Sequence, residues 1–246
     1  MTRTLRLLLT VACVLPSTAL AQSVPTPGDA LAQRVAKASG SESWAKVSKL
    51  GFSWTVAGRS LTRSYAWDVV AGTVTHFPAP DERCELPVGG WAKPGDAPDA
   101  DHLNAHKGWV NDSFWAMAGL HLAWDAGLTF TDLGEQEVPQ LPKLGKRRAL
   151  SARYGETGGY TPGDLYVFYL DEQDLPVAWA FHKGGAEQPN LVATWEGFVT
   201  KAGLTLPSKF VLPSGKTLIE IKDLIVETSD AETTGPASRP ASGAGE

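Results

Sequence analysis

Three groups of residues have types and spacings that permit chemistry. His102 and His106 stand four apart in Asp101-His102-Leu103-Asn104-Ala105-His106. On a helix that spacing puts both imidazoles on one face, as two metal ligands require, with Asp101 or His121 as a third. The glutamate of an HExxH motif and a cysteine cluster are both missing, so an ordinary amphipathic helix surface explains the pair as well. Asp112 lies in Gly108-Trp109-Val110-Asn111-Asp112-Ser113-Phe114-Trp115. A carboxyl buried among tryptophans has a raised pKa and suits general-acid work. The plainer expectation is that Asn111 and Asp112 satisfy orphan amides at a break in a helix. Asn111-Asp112-Ser113 also fits the glycosylation sequon, although the flanking aromatics make a poor acceptor. Cys84 sits beside Arg83, which favours a thiolate, but no histidine can be placed next to it. No G-x-S-x-G elbow occurs, and neither Gly158-Gly159 nor Gly184-Gly185 is followed by the lysine and helix of a phosphate cradle. No catalytic residue, metal or cofactor is assigned from these residues.

The tryptophans are more informative. Nine are present. Trp54, Trp67, Trp179 and Trp195 fall in the middle of candidate strands, and Trp109 and Trp115 fall in a candidate helix. They form either a large aromatic core or the lining of an apolar ligand site. The candidate cavity-lining residues are Trp54, Tyr65, Trp67, Phe114, Trp115, Trp179, Phe181 and Trp195.

The elements that position them are framed by two atypical ends. Residues 1–21 carry Arg3 and Arg6, an apolar stretch from Leu7 to Leu15, and Ala-Leu-Ala ending at Ala21. They read as a secretory signal peptide, too short and too interrupted by Pro16 to cross a bilayer. Thr10-Val11-Ala12-Cys13 only loosely resembles a lipid-attachment box, so a soluble exported protein is expected, periplasmic or extracellular. Residues 22–28 form a flexible leader. Residues 228–246 lack large apolar side chains and read as a disordered tail. The chain has 22 basic and 27 acidic residues, and the signal segment holds two of the basic ones. The remainder is acidic and has no long basic run, which argues against nucleic acid as a partner. Its one cysteine, Cys84, rules out an intrachain disulfide after processing. Residues 29–227 are long enough for a single domain with an ordinary core.

Within that domain, Asp29 caps a short helix that ends at Gly40. The period then changes to two. Phe52, Trp54 and Val56 share one face of a strand, and Leu61, Arg63, Tyr65, Trp67 and Val69 share one face of the next. Thr73 to Phe77 returns as a third strand. Five prolines and three glycines between Pro78 and Pro98 predict a long irregular loop. A helical block follows from about Asp99 to Leu122, with a break expected at Gly108 and the Asn-Asp-Ser triplet. Further strands are expected over 128–135, 147–154, 164–171, 177–182, 191–200, 204–212 and 217–227. Leu165 to Leu170 is apolar on both faces and needs cover on both sides. The fold class is therefore mainly β (α+β): a curved antiparallel sheet of about ten strands forms an incomplete barrel around the helical block, with a short helix at the front.

This order of elements resembles the periplasmic lipoprotein carriers of the lipoprotein-localisation (Lol) system, half-barrels whose concave face is covered by helices. Locally, Trp109-Val110-Asn111-Asp112-Ser113-Phe114-Trp115, Ala126-Gly127-Leu128-Thr129 and Thr161-Pro162-Gly163-Asp164-Leu165-Tyr166 resemble an uncharacterised secreted bacterial family with a W-x-N-D-S-[YF]-W signature. The first resemblance implies an apolar ligand and an arginine near the cavity mouth, for which Arg63 is the candidate. The second implies no activity.

The sequence thus supports an exported, non-enzymatic binding protein whose partner is an apolar small molecule or acyl chain, with envelope proteins as further candidates. Two alternatives stand beside it. One is an exported hydrolase or metal-dependent enzyme using Asp112, Asp68 or the His102/His106 pair. The other is a structural cell-envelope protein with no ligand.

Overall fold

The computed structural model describes residues 24–91, 93–156 and 162–229. The expected signal peptide, Cys13, and the tail beyond residue 229 lie outside the described residues.

Helix α1, Pro27–Ala38, begins inside the stretch expected to be a flexible leader. Its N-cap is Thr26, not Asp29. The Thr26 hydroxyl accepts from the Asp29 N–H, and the Asp29 carboxylate accepts from the Thr26 N–H, a reciprocal capping box. Pro27 occupies the first helical position, where its missing N–H has no cost. Gly28, Leu31, Ala32, Val35 and Ala36 are its buried residues.

Strands β1 (Val47–Val56), β2 (Thr62–Asp68) and β3 (Thr73–Phe77) form the expected meander, and β4 (Cys84–Pro87) extends it. The Pro-rich segment is therefore not wholly irregular, since four of its residues pair with β3. Helix α2 spans Ala100–Trp124. The rest is antiparallel: β5 (Thr129–Glu137), β6 (Lys146–Arg153), β7 (Leu165–Leu170), β8 (Pro176–His182), β9 (Leu191–Glu196), β10 (Val199–Lys201), β11 (Leu204–Leu206), β12 (Lys209–Val211) and β13 (Thr217–Thr228). The expected strand 191–200 is interrupted at Gly197, which takes a positive φ of 64°. Its end, β10, pairs only with β11 in a small separate hairpin.

Eleven strands form one open sheet in the order β4-β3-β2-β1-β13-β12-β9-β8-β7-β6-β5. The sheet is not closed, and it is the expected incomplete barrel. Its curvature follows from α2. Trp109 packs on Phe52, Tyr65 and Trp67 of β1 and β2, while Trp115, less than two turns later, packs on Trp179 of β8 and Phe210 of β12. One helix meets both halves of the sheet only where the sheet wraps around it.

The two faces are covered differently. The concave face carries the main core, which includes Leu50, Phe52, Trp67, Phe168, Trp179, Phe210 and Leu120. On the convex side of β6 to β9, a second cluster of Val138, Ala149, Val167, Tyr169, Ala178, Ala180 and Val192 is roofed by Leu141 and Leu144 of the β5–β6 connection. This explains why β7 is apolar on both faces: Phe168 and Leu170 face the helix side, and Val167 and Tyr169 face the connection.

Within α2 the expected break is displaced. Gly108 and Asn111 to Ser113 lie in continuous helix, and the non-helical residue is Met117, with φ −135° and ψ 23°. Two residues on, Gly119 lets α1 approach, because a Cβ there would fall on the Ser39 hydroxyl. Among the described residues no helix is long and apolar enough to cross a membrane.

Candidate functional site

Asp112 is fully buried. Since the backbone around it is regular helix, its carboxylate is free to serve the sheet, which corrects the expectation that it absorbs a chain break. Arg63 of β2 donates from Nε to Oδ2 at 2.6 Å and from Nη2 to Oδ1 at 2.7 Å, a two-pronged charged contact. The Tyr65 hydroxyl donates to Oδ2 at 2.8 Å, and the Asn111 amide donates to Oδ1 at 2.8 Å. The guanidinium also lies over the Trp54 ring, 4.3 Å from its centre. Alternation explains the grouping: Arg63, Tyr65 and Trp67 occupy every second position of β2 and so share its concave face. The hydrogen bonds to Asp112 hold Arg63 above the usual guanidinium range despite partial burial. Burial raises the Tyr65 phenol, and the adjacent Asp112 carboxylate raises it further. Both groups keep their protons across the physiological range. The four acceptor contacts of Asp112 are matched by four donors, so it anchors α2 to the concave face of β2.

A second carboxylate anchors the far end of α2. Asp125, the residue after the helix, contacts His121 Nδ1 at 3.0 Å and accepts from the Tyr154 hydroxyl at 2.5 Å. Burial alone raises the Asp125 pKa, but His121 and the two hydrogen bonds outweigh it and leave the group below its ordinary value. Burial and the same carboxylate push the Tyr154 phenol well up. The break at Met117 therefore lies between an attachment to β2 and an attachment beyond β6.

The aromatic residues singled out from the sequence form one connected surface on the concave side. Trp115 meets Trp179 edge-on at 4.7 Å, Trp179 meets Trp195 at 5.6 Å, and Phe114 meets Tyr166 at 4.6 Å. Phe181 joins through Tyr166 at 5.0 Å. Trp54, Tyr65 and Trp67 line the other half, beside Trp109. Sequence reasoning missed Phe52, Tyr166, Phe168 and Phe210, whose places in the strand alternation would have revealed them. The indole N–H groups of Trp54, Trp67, Trp179 and Trp195 are buried and have no hydrogen-bond acceptor among the described residues.

No protein-family model matches the sequence, and no curated protein matches it. Among solved structures, the chain is similar to a Vibrio parahaemolyticus domain described as an outer membrane lipoprotein-sorting protein. The identity is 13%, the match covers 83% of this chain and 94% of that one, and the TM-score is 0.44. It is also similar to a LolA superfamily protein from Nitrosomonas europaea, with 9% identity, coverage of 81% and 94%, and a TM-score of 0.39. Both overlaps are loose, and the fold assignment rests on the strand order and helix placement given above.

The remaining candidates do not converge. His106 is buried, its ring pressed against Gly90 and facing Trp91, and burial lowers its pKa. His102 instead turns to Asp99, with Nδ1 at 2.8 Å from the carboxylate that caps the helix. Among the described residues no group of three or more His, Cys, Asp or Glu is arranged to hold a metal ion. Cys84 pairs with His76 across β3 and β4. Burial raises its thiol pKa, as do Asp99 and Asp101, the reverse of what Arg83 was expected to do. Asp68 accepts from the Ala71 N–H at 2.8 Å in the β2–β3 turn.

Proposed function

We propose that this is an exported, non-enzymatic binding protein that takes an apolar ligand carrying acceptor oxygens, such as an acyl ester or amide, between α2 and the concave face of the sheet. The observation that supports this reading is the set of four buried indole N–H groups without acceptors. A buried donor left unpaired costs about 1–3 kcal/mol, and a ligand that brought acceptor oxygens to these four indoles would remove that cost. An acyl chain would match the aromatic walls, and its carbonyl oxygens would accept from the indoles. In the state described, the side chains of α2 occupy that space, so uptake requires α2 to move, with Met117 as the joint. Trp54, Tyr65, Trp67, Phe114, Trp115, Trp179, Phe181 and Trp195 would line the opened site.

Displacement of a fluorescent fatty acid tests this. Monoacylglycerol and phospholipid should compete, and alkanes of equal length should compete less well. No displacement by any of them at any ratio overturns the reading.

A second reading is favoured by the filled interior. Trp109, Phe114 and Trp115 pack directly on the sheet aromatics, as they would in a structural envelope protein that binds nothing. The Trp115 variant discussed below separates the two.

A further inference from the structure

Among the described residues, the convex side of β1, β2, β3 and β13 has no roof like the one over β6 to β9, and a hollow of about 520 Å³ opens there. Its floor follows from the register. Ile225, Gly51, Ala66 and Thr75 stand side by side across four strands. Glycine and alanine in the middle of that row leave the depression, and Ile225, 54% exposed, and Phe77 stand at its sides.

One end of the hollow is polar in a directed way. The pairing of β1 with β13 slips between Gly51 and Ser53, and Asp223 in the bulge takes a positive φ of 53°. Such a conformation is unusual for a residue with a side chain, and bulges of this kind re-aim side chains. Here the carboxylate is turned onto Ser53, whose hydroxyl donates to Oδ2 at 2.9 Å. Ser53 has one proton to give. The 2.9 Å contact between Ser53 and Ser64 must therefore run from the Ser64 hydroxyl to Ser53. Both hydroxyl protons point toward Asp223, and what the pair leaves unused is lone pairs. Of the charged residues that line the hollow, Asp68, Asp223 and Glu227 are acidic, and Lys49 is engaged by Glu227 at 3.5 Å. Lys201, which lines the adjoining depression with Asp223, donates from Nζ to the Leu224 carbonyl.

We propose that this hollow binds a small organic cation bearing a primary ammonium on a short apolar body. The ammonium supplies three N–H donors and a positive charge to a polar end that offers acceptors and negative charge. The apolar body lies on Gly51 and Ala66 between Ile225 and Phe77. The volume falls in the range of small-molecule sites, about 300–1,000 Å³, and favours a free amine over a protein lysine. The site lies on the opposite face of the sheet from the aromatic surface, so it stands or falls independently of the concave-face reading.

The test is titration of the full chain with phenethylammonium, with 2-phenylethanol and phenylpropionate as neutral and anionic counterparts and N-acetyl-lysine methylamide as the protein-like source. Backbone amide shifts of Ser53, Ser64 and Ala66 are followed by NMR. Phenethylammonium should shift these amides saturably, and the alcohol and the carboxylate should not. Asp223→Asn keeps a side chain that tolerates the left-handed backbone and should weaken binding about tenfold or more, and Ser53→Ala should weaken it by a smaller factor. Equal binding of the alcohol, unchanged affinity in both variants, or shifts confined to other regions would overturn the proposal. Tighter binding of the lysine derivative than of phenethylammonium would overturn the assignment to a free amine.

Discussion

Arg63 and Asp112, 49 positions apart, meet as a two-pronged ion pair between the concave face of β2 and the buried side of α2. One partner is fully enclosed, and the other keeps a quarter of its side chain exposed. Removing one member of such a pair strands the other. Asp112→Asn should lose about 3–5 kcal/mol of unfolding free energy. The double variant Asp112→Asn with Arg63→Met should be more stable than the sum of the two single losses implies. Urea unfolding of the four proteins in this cycle checks both statements, and strict additivity would mean that the pair is not energetically coupled.

Trp115 packs edge-on against Trp179 and Phe210. If it is core alone, Trp115→Ala should cost about 3–5 kcal/mol. If it belongs to a movable cover, the variant should lose much less stability and should change fatty-acid affinity. Measuring unfolding and dye displacement on the same variant distinguishes a binding protein from a ligand-free one.

Burial holds the pKa values of His76 and His106 below the ordinary imidazole value. Below a pH of about 6.5 the unfolded chain takes up protons that these rings refuse when folded. Their contribution is therefore full above that pH and declines as pH falls through the window between the unfolded and folded values. Stability by chemical denaturation should be lower at pH 5.5 than at pH 7.5, and the difference should shrink in His76→Gln. An unchanged difference in that variant would remove His76 from the explanation.

The Tyr154 hydroxyl donates to Asp125, the carboxylate that follows α2. Tyr154→Phe keeps the ring and removes a hydrogen bond to a charged group, an expected loss of about 1.5–3 kcal/mol. Amide exchange should accelerate mainly in the part of α2 after Met117. Acceleration spread evenly over the helix would show that the two parts do not open separately.

Gly119→Ala should destabilise by about 1–3 kcal/mol, because the new methyl group meets Ser39. Adding Ser39→Gly should recover part of the loss. No recovery in thermal denaturation would place the clash elsewhere.

Much of this architecture is legible in the residues. The alternation in Phe52, Trp54 and Val56 and in Arg63, Tyr65 and Trp67 gives both strands and their inward faces. The helical block expected at about 99–122 matches Ala100–Trp124 closely. What escaped was set by long-range contact. The break at Met117 is next to Gly119, where α1 meets α2, and no local composition marks it. The strand Cys84–Pro87 hides among prolines because four residues are too few to show a period. Arg63 did carry a signal: a charge on an otherwise apolar strand face requires a countercharge inside. Asp112, fenced by tryptophans, was the obvious partner. Single-residue reasoning treated the two separately, as a cavity-mouth arginine and a backbone cap, and so missed their meeting. The hollow on the convex side was also out of reach, since it depends on a slipped register.

The pairing of β1 with β13 bears on how the molecule assembles. Val47 is matched with Thr228, the first strand with the last of those described. As the chain emerges from the ribosome, β1 can recruit β2 at once, but its other flank stays bare until nearly every described residue has been made. Closing a loop of that length is slow. The nascent polypeptide must therefore keep a tryptophan-bearing strand with an unsatisfied backbone edge in a sticky, incomplete form, and a helper that shields such edges should raise the yield of refolding.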